Sequence, residues 1–314
     1  MKKILVIGAA GQIGTELTPY LRKLYGTDNV VASDLRDDVA PVLKEGPYET
    51  IDILDTAKVT DVVKKHEIDT VYNLAALLSA VAEGNPQLAW KINMGGLLNL
   101  LEIARELGFA LFTPSSIGAF GPTSPHDGTP QDTIQRPTSM YGVTKVAGEL
   151  LCDYYHSKFG VDTRGVRFPG IISNVAPPGG GTTDYAVDIY YEALKKGHYT
   201  ANLGKGTYLD MMYMPDALRA AVEVMEADPA RLKHRNCFNV AAMSFAPEHI
   251  CAAIQKHLPD FTMDYAVDPV RQAIADSWPN RMDDTAAREE WGWKHEFELD
   301  AMTADMLNVL KKRL

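Results

Sequence analysis

The sequence predicts an α/β fold in which a doubly wound parallel sheet is followed by a smaller C-terminal cap. Over the first half of the 314 residues, short β-rich runs alternate with longer helical patterns, which implies parallel strands joined by crossover helices. The β-rich runs are almost continuously apolar, as expected for strands that are covered on both faces. After Phe168 the pattern changes to a turn-rich stretch over residues 174–183, which indicates a second region.

The first region alternates strands and helices in order along the chain. The predicted strands are Lys3–Ile7, Asn29–Ser33, Thr70–Leu74, Ala110–Pro114 and Thr163–Phe168. The predicted helices are Gln12–Tyr25, Lys58–His66, Gln87–Leu107 and Tyr141–Phe159. Pro19 stands inside the first of these helices, where a proline can kink the chain.

The second region contains more helices, with short strands among them. Helices are predicted over Asp184–Lys196, Pro215–Ala227 and Pro247–His257, and strands over Tyr208–Tyr213 and Phe238–Ala241. We therefore expect one domain over residues 1–173 and a cap over residues 174–314. Segments near residues 208–240 are expected to return to the first domain.

Composition and charge exclude several classes of partner. The formal net charge of -10 leaves no basic surplus to replace counterions, so we expect no nucleic acid and no membrane as partner. The three cysteines are odd in number and lack a Cys-x-x-Cys spacing, which favours a reducing, cytoplasmic compartment. The eight histidines are scattered, so we expect no catalytic metal.

A glycine-rich turn follows the first predicted strand and opens the first helix. Gly8, Gly11 and Gly14 permit a tight turn, a close approach to a pyrophosphate and close packing of helix on strand. The helix N-terminus, with Gln12 and Ile13, presents N–H groups to phosphate charge. The position between strand and helix predicts a dinucleotide site.

Asp34 stands at the end of the second predicted strand, 20 residues after Gly14. A carboxylate there accepts hydrogen bonds from the adenosine ribose and repels a 2′-phosphate, which favours NAD over NADP. Arg36 is nearby, and we interpret it as a solvated loop residue. Asp52, followed by Ile53, could meet the adenine amino group or serve as a turn or capping residue, and the sequence leaves the two roles open.

Tyr141 and Lys145 are four residues apart on one predicted helix and share a face. Ser116 follows a strand, at the sheet edge where open α/β folds bind ligands. Tyrosine in water ionises only near pH 10, but a lysine ammonium and a cationic nicotinamide would both favour the phenolate. This triad predicts oxidation of a hydroxyl, with Ser116 holding the oxygen as the proton leaves. The neighbouring Ser115 could assist or could cap the turn.

These residues together resemble the extended short-chain dehydrogenase/reductase superfamily, over essentially the whole chain. The glycines match its GxxGxxG motif, and the serine, tyrosine and lysine match its catalytic triad. The segments Asn73–Ala76 and Arg167–Gly170 match its fourth-strand motif and the segment bordering the nicotinamide. Together with Tyr141 and Lys145, the resemblance implies cofactor contacts from Leu74, Ala75, Ala76, Asn93, Pro169 and Ile171.

Within that superfamily, the chain is similar to the metal-independent, epimerase-like L-threonine 3-dehydrogenases. The segments Pro114–Gly121, Gly179–Tyr185 and Ser277–Pro279 carry this similarity. It implies oxidation of the 3-hydroxyl of L-threonine with NAD, giving 2-amino-3-oxobutanoate and NADH. The candidate substrate contacts are Ser79, Ser116, Tyr141, Thr182, Thr183 and Trp278. For Ser79 and the two threonines the alternative is a role within their loops, and for Trp278 it is packing.

Two other functions use the same pattern. A UDP-sugar 4-epimerase or dehydratase would employ the same triad but would return the hydride. A non-catalytic NAD-binding protein would need the glycine turn but not Ser116 together with Tyr141. The superfamily often dimerises through two long helices, here Gln87–Leu107 and Tyr141–Phe159, although burial against the sheet would explain the same apolar residues.

Overall fold

The computed structural model describes residues 1–176 and 181–314. Residues 177–180, which belong to the predicted turn-rich stretch, lie outside the described residues. The chain divides into two compact units, each built from three segments. The first unit combines Met1–Ala119, Ser139–Arg167 and Leu218–Phe238, and the second combines Phe120–Thr138, Phe168–Ala217 and Asn239–Leu314. The division into a cofactor domain and a substrate cap stays a prediction.

The elements are numbered in chain order. The strands are β1 Ile4–Ile7, β2 Val30–Asp34, β3 Tyr48–Thr50, β4 Thr70–Asn73, β5 Ala110–Phe112, β6 Ser115–Ser116, β7 Asp127–Thr129, β8 Thr163–Arg164, β9 Val166–Phe168, β10 Gly170–Ile172, β11 His198–Ala201, β12 Leu209–Tyr213, β13 Phe238–Asn239, β14 Met243–Phe245, β15 Thr262–Tyr265 and β16 Arg281–Met282. The helices are α1 Gln12–Tyr25, α2 Thr56–Lys65, α3 Ser79–Gly84, α4 Pro86–Trp90, α5 Gly96–Leu107, α6 Met140–Phe159, α7 Tyr185–Lys196, α8 Met214–Glu226, α9 Pro247–Gln255, α10 Pro269–Ala275, α11 Thr285–Trp291 and α12 Leu299–Lys311.

A six-stranded parallel sheet forms the centre of the first unit. Its order is β3-β2-β1-β4-β5-β8, and each neighbouring pair runs parallel. The order reverses on either side of β1, which is the switch point at which open sheets of this kind bind ligands. The predicted doubly wound parallel sheet is confirmed.

The apolar strands explain why this sheet is buried. All four residues of β1 are buried, and their side chains alternate between the two faces of the sheet. Leu5 and Ile7 belong to a core cluster that contains residues of α2, α5 and α6. Burial of each such side chain contributes roughly 1.5–3 kcal/mol. The glycine-rich turn and the sheet edge therefore rest on a rigid support.

The helical segment predicted over Gln87–Leu107 is helical throughout, but its middle part is a π-helix. The structure has α4, then a π-helical segment over Lys91–Gly95, then α5. A Cβ on Gly96 would lie 2.8 Å from Cγ2 of Ile53, so the chain passes this point without a side chain. Two adjacent glycines also weaken the α-helical preference here, and π segments occur mostly as short insertions in helices.

The strand predicted over Thr163–Phe168 is also wrong as one strand. Gly165 separates β8, which joins the parallel sheet, from β9, which lies in another sheet. A Cβ on Gly165 would lie 2.3 Å from the carbonyl oxygen of Thr113. The N–H of Gly165 is instead bonded to the carbonyl of Arg235.

Among its described residues, the second unit contains three small sheets and a group of helices. In one sheet β12 pairs in parallel with β10 and antiparallel with β14. Helix α7 packs on α9 and α12. Asp216, which is fully buried, accepts from the N–H groups of Glu296 and Phe297 and so ties the start of α8 to the chain before α12. The helices α10, α11 and α12 were not among the predicted elements.

The described residues contain neither a membrane-crossing helix nor a metal-binding cluster. No helix there combines the length and apolar character that a membrane crossing requires. The same residues contain no group of three or more histidine, cysteine, aspartate or glutamate side chains that could hold a metal ion.

Candidate active site

The glycine-rich turn connects β1 to α1. Gly8 has a φ of +82°, which side-chain-bearing residues rarely adopt, and a Cβ there would lie 2.7 Å from the backbone nitrogen of Ala75. A Cβ on Gly14 would lie 2.5 Å from the carbonyl oxygen of Gly8. Both glycines are therefore required by close backbone approaches, as their spacing predicts.

The start of α1 is suited to a phosphate group. Its cap residue is Gly11, which offers no side chain to the first helical N–H groups, and the first turn carries no acidic residue. A Cβ on Gly11 would lie 3.3 Å from the carbonyl oxygen of Gly8. The N-terminal N–H groups, which include those of Gln12 and Ile13, and the helix dipole favour an anion here. The turn therefore fits a dinucleotide pyrophosphate.

Asp34 ends β2 beside this turn. Its Oδ2 accepts from the N–H of Ala10 at 3.0 Å, and its Oδ1 accepts from Nε of Arg36 at 3.1 Å. The Arg36 guanidinium also donates to the carbonyl of Ala10 at 3.1 Å, although its side chain is 61% exposed. Arg36 is thus a largely solvated loop residue, as predicted, and its pairing with Asp34 was not predicted from the sequence.

Asp52 and Ile53 lie between β3 and α2. The carboxylate of Asp52 accepts from the N–H of Leu54 at 2.9 Å, which closes a turn. The capping position of α2 belongs to Asp55, which accepts from the N–H of Lys58 at 3.0 Å. Ile53 is buried in the core cluster. A contact of Asp52 with adenine stays a prediction.

The residues that follow β4 lie against the glycine-rich turn. Leu74 donates to the carbonyl of Ile7 at 2.8 Å, and Ala75 lies against Gly8. Ala76 lines a cavity with Leu74, Ala75 and Asn93. The predicted cofactor residues of this segment are therefore gathered beside the glycine turn.

Asn93 lies in the π-helical segment and links two neighbouring elements. Its side chain accepts from the N–H of Leu77 at 2.8 Å and donates to the hydroxyl of Thr144 at 3.1 Å. The Thr144 hydroxyl in turn donates to the carbonyl of Tyr141 at 2.8 Å. Asn93 therefore braces the first turn of α6.

Ser116 and Tyr141 face the same small space above Gly118. A Cβ on Gly118 would lie 3.4 Å from Cε1 of Tyr141 and 3.5 Å from Oγ of Ser116. Ser116 Oγ also accepts from the N–H of Gly118 at 3.1 Å. The serine hydroxyl and the tyrosine ring therefore border the same point, and glycine leaves that point open.

Lys145 completes the predicted triad one turn further along α6. Its Nζ lies 5.4 Å from the centroid of the Tyr141 ring and donates to the carbonyl of Pro114 at 2.7 Å. An ammonium group has three N–H donors, so this bond leaves capacity for further acceptors. The structure brings Ser116, Tyr141 and Lys145 together within the first unit.

The remaining predicted residues are distributed over the two units. Ser79 begins α3 in the first unit and is half-buried. In the second unit, Pro169 is buried and Ile171 pairs with Met212 between β10 and β12. A Cβ on Gly170 would lie 2.7 Å from Cγ2 of Thr183. Thr182 and Trp278 are both buried.

Sequence reasoning missed the role of Glu149 and assigned Arg167 only to a motif. The Nη2 of Arg167 donates to the Glu149 carboxylate at 2.8 Å, and both side chains are almost fully buried. Ser115 donates its hydroxyl to the same carboxylate. A signal was present, because Glu149 follows Lys145 by four residues and so falls on the face of α6 that carries the triad.

A strand–glycine turn–helix unit followed by a serine and a Tyr-x-x-x-Lys helix defines a class of nucleotide-dependent enzyme folds. The chain belongs to the NAD dependent epimerase/dehydratase family, whose model matches residues 4–241. This finding confirms the resemblance to the extended short-chain dehydrogenase/reductases.

Individual proteins, one known by sequence and two by structure, are also similar to this chain. Over 312 residues the chain is 57% identical to an uncharacterized epimerase/dehydratase of Staphylococcus saprophyticus, covering 99% of this chain and 98% of that protein. It is similar to the X-ray structure of L-threonine dehydrogenase from Clostridium difficile, with 60% identity, a TM-score of 0.98, and coverage of 100% and 98%. A monomeric L-threonine 3-dehydrogenase from a metagenome database is 42% identical, with a TM-score of 0.93 and coverage of 99% of both chains.

Proposed function

We propose that this protein oxidises the 3-hydroxyl of L-threonine with NAD to give 2-amino-3-oxobutanoate and NADH. The observation that carries this proposal is the placement of Ser116 and Tyr141 around Gly118, with Lys145 one helical turn away. The similarity to L-threonine dehydrogenases over the whole chain supports the choice of substrate.

In the proposed reaction Tyr141 removes the proton from the substrate hydroxyl as a phenolate. The ammonium of Lys145 favours the phenolate because it places a positive charge beside the ring. The hydroxyl of Ser116, whose oxygen already accepts from Gly118, donates to the substrate oxygen and fixes its position. A bound NAD would accept the hydride from C3 of the substrate.

NAD is the proposed cofactor rather than NADP. Asp34 holds a carboxylate beside the glycine turn, where it would accept from ribose hydroxyls and repel a 2′-phosphate. The remaining predicted contacts to the cofactor, and the assignment of Ser79, Thr182, Thr183 and Trp278 to the substrate, are part of the same proposal. A cytoplasmic setting also stays our prediction, and none of the three cysteines, which all lie among the described residues, forms a disulfide.

The test is a steady-state assay of NADH formation. Purified protein is given NAD with L-threonine, L-serine, L-allo-threonine or UDP-galactose, and absorbance of NADH is followed. We expect net NADH with L-threonine and the highest kcat/KM for it. The absence of reduction with L-threonine would overturn the proposal.

The second candidate is a UDP-sugar 4-epimerase or a related nucleotide-sugar enzyme. The family description includes epimerases and dehydratases, which favours keeping this candidate. An epimerase returns the hydride, so it would convert UDP-galactose without accumulating NADH. Analysis of the sugar products in the same assay separates the two functions.

A homodimer is the proposed assembly. Three apolar side chains on one face of α6 remain exposed. Val143 is 40%, Leu150 63% and Tyr154 52% exposed. Leu98 on the adjacent α5 is 43% exposed. These side chains are not covered by their own unit, so burial against the sheet does not explain them. A two-fold contact between α5–α6 pairs would cover the same patch on both copies.

A further inference from the structure

Glu149 lies on the same face of α6 as the two candidate catalytic residues. Tyr141, Lys145 and Glu149 follow one another at intervals of four residues, which places them in one row along the helix. Tyr141 and Lys145 are half-buried, whereas the Glu149 side chain is only 3% exposed. This row therefore begins at the site and ends inside the protein.

The buried carboxylate of Glu149 is fully engaged. Nε of Arg167 lies 3.1 and 3.2 Å from its two oxygens, and Nη2 donates at 2.8 Å. The hydroxyl of Ser115 donates to Oε1. Arg167 is carried by β9, which lies beside β6, the strand that carries Ser115. The network thus joins one helix and two strands.

Stability alone is a poor explanation for this network. The desolvation of a buried ion pair offsets most of its attraction, and an apolar replacement is often as stable. Buried, fully hydrogen-bonded charges instead specify one geometry, because any displacement leaves a charge unpaired. A fixed geometry at this place has a chemical use, since β6 carries Ser116.

Three consecutive residues of the strand-end segment are connected to the row on α6. The carbonyl of Pro114 accepts from Lys145, and the hydroxyl of Ser115 donates to Glu149. Ser116 faces Tyr141 across the space above Gly118. The bond from Ser115 to Glu149 thus links the segment 114–116 to the buried end of the row on α6.

A cavity of about 40 Å³ lies beside this link. It is lined by Asn73, Thr113, Ser115, Lys145, Glu149 and Cys152, among others. The side-chain oxygens Oδ1 of Asn73 and Oγ1 of Thr113 have no hydrogen-bond partner among the described residues. The link between Ser115 and Glu149 therefore borders the cavity that the candidate cofactor residues Leu74 and Ala75 also line.

We propose that Glu149, held by Arg167, is a positioning residue that acts through Ser115 to set Ser116 and Lys145 against Tyr141. The inference rests on the proposed function, because it assumes that these three residues form the catalytic triad. Glu149 and Arg167 do not touch the reacting atoms in this scheme. They fix the distance over which the proton of the substrate hydroxyl is transferred.

The test is the full-length Ser115→Ala variant, which removes the link but leaves the ion pair. We expect kcat for L-threonine to fall by about 10- to 100-fold, since small displacements of reacting groups have effects of this size. KM should change by less than kcat, because the substituted side chain is not itself one of the proposed substrate contacts.

Ser157→Ala is the matched control. Its hydroxyl lies on the exposed side of the same helix and donates to the carbonyl of Tyr154 at 3.1 Å. This variant should keep the wild-type kcat and KM. Should Ser115→Ala fail to fold, Glu149→Gln removes the charge that Arg167 holds and should lower kcat in the same way. Ser115→Thr keeps the hydroxyl that donates to Glu149 and should keep a kcat near that of the wild type.

A readout without turnover separates this inference from the proposed function. A crystal structure of Ser115→Ala should show Ser116 Oγ and Lys145 Nζ displaced relative to the Tyr141 ring, even if L-threonine proves to be the wrong substrate. Unchanged positions of these atoms together with an unchanged kcat, with or without a lower melting temperature, would overturn the positioning role.

Discussion

Asp34 Oδ2 accepts a hydrogen bond of 3.0 Å from the N–H of Ala10, which ties the end of β2 to the glycine-rich turn. The same carboxylate pairs with Arg36 through its other oxygen at 3.1 Å. The cofactor preference should therefore depend on this one side chain. In Asp34→Ser the repulsion of a 2′-phosphate is lost and Arg36 is released to meet it. We expect the ratio of kcat/KM for NAD to that for NADP to fall by at least about 10-fold.

The matched control for this change is Asp37→Ser. Asp37 is 75% exposed and pairs with Lys44 on the surface, so its loss should leave the ratio unchanged. The measurement is initial-rate kinetics with each cofactor at saturating L-threonine. If Asp34→Ser keeps the wild-type ratio, Asp34 does not select the cofactor.

Gly14→Ala tests the close packing of α1 on the turn. The new Cβ would lie 2.5 Å from the carbonyl oxygen of Gly8 and 2.6 Å from Cα of Ala9, so the helix must shift. We expect a loss of about 1–3 kcal/mol in the free energy of unfolding, together with weaker NAD binding. Gly84→Ala is the control, because no described atom lies within 4 Å of its added Cβ. Urea unfolding and calorimetric titration with NAD measure the two effects.

Tyr141→Phe removes the proposed base and keeps the ring. We expect kcat for L-threonine to fall by at least about 100-fold, the usual size of a lost acid–base group. NAD affinity should stay near that of the wild type, because the glycine turn and Asp34 are untouched. Tyr154→Phe, on the exposed side of the same helix, is the control for the loss of a phenol hydroxyl. Wild-type turnover in Tyr141→Phe would exclude the assigned role.

Asp210 on β12 should make stability depend on pH. The carboxyl is fully buried, and burial raises the pKa of Asp210 from 3.8 to about 7, although its Oδ2 accepts from the N–H of Met282 at 2.8 Å. The folded state therefore holds this proton more tightly than the unfolded state does. The contribution of Asp210 to the free energy of unfolding falls as pH rises from about 4 to about 7 and is constant above that range.

Asp210→Asn removes this dependence, because the amide mimics the protonated acid at every pH. The variant should match the wild type near pH 4 and exceed its free energy of unfolding near pH 8 by on the order of a few kcal/mol. Asp300→Asn is the control, since Asp300 is 65% exposed and pairs with Lys256 on the surface. Chemical unfolding across this pH range is the measurement. A constant difference between Asp210→Asn and the wild type would contradict the titration.

The parallel sheet was predictable because its strands are buried on both faces and its helices carry ordinary periodicity. The turn at Gly8 and the helix α1 follow local rules, and α1 runs from Gln12 to Tyr25 as predicted, with Pro19 inside it. The strand β3 was missed, since its three residues are half-buried or exposed and form a short edge strand. The π-helical turn before Gly96 and the break at Gly165 lie where Ile53 and Thr113 approach closely, and no local pattern names these distant neighbours.

The candidate site also has one part that the sequence predicts and another part that only the structure shows. Ser116, Tyr141 and Lys145 carry a spacing that identifies them, and the fold brings them together as that spacing implies. Glu149 lies at the next position of the same spacing, but an acidic residue on a helix is ordinarily solvated. Only the structure shows that its carboxylate is buried and bound by Arg167, because the two residues meet through the pairing of β9 with β6.

Leu150→Glu tests the proposed dimer. Leu150 is 63% exposed between Val143 and Tyr154 on α6, at the centre of the apolar row. In a two-fold contact the new carboxylates would be desolvated on both copies without a counter-charge, which strongly disfavours association. We expect the wild type to sediment as a dimer and the variant as a monomer with an unchanged circular dichroism spectrum. Leu24→Glu, on the 49% exposed Leu24 of α1, introduces the same charge outside the proposed interface and should remain dimeric. A monomeric wild type at all concentrations, as in the monomeric relative, would show that the exposed row is not a subunit interface in this protein.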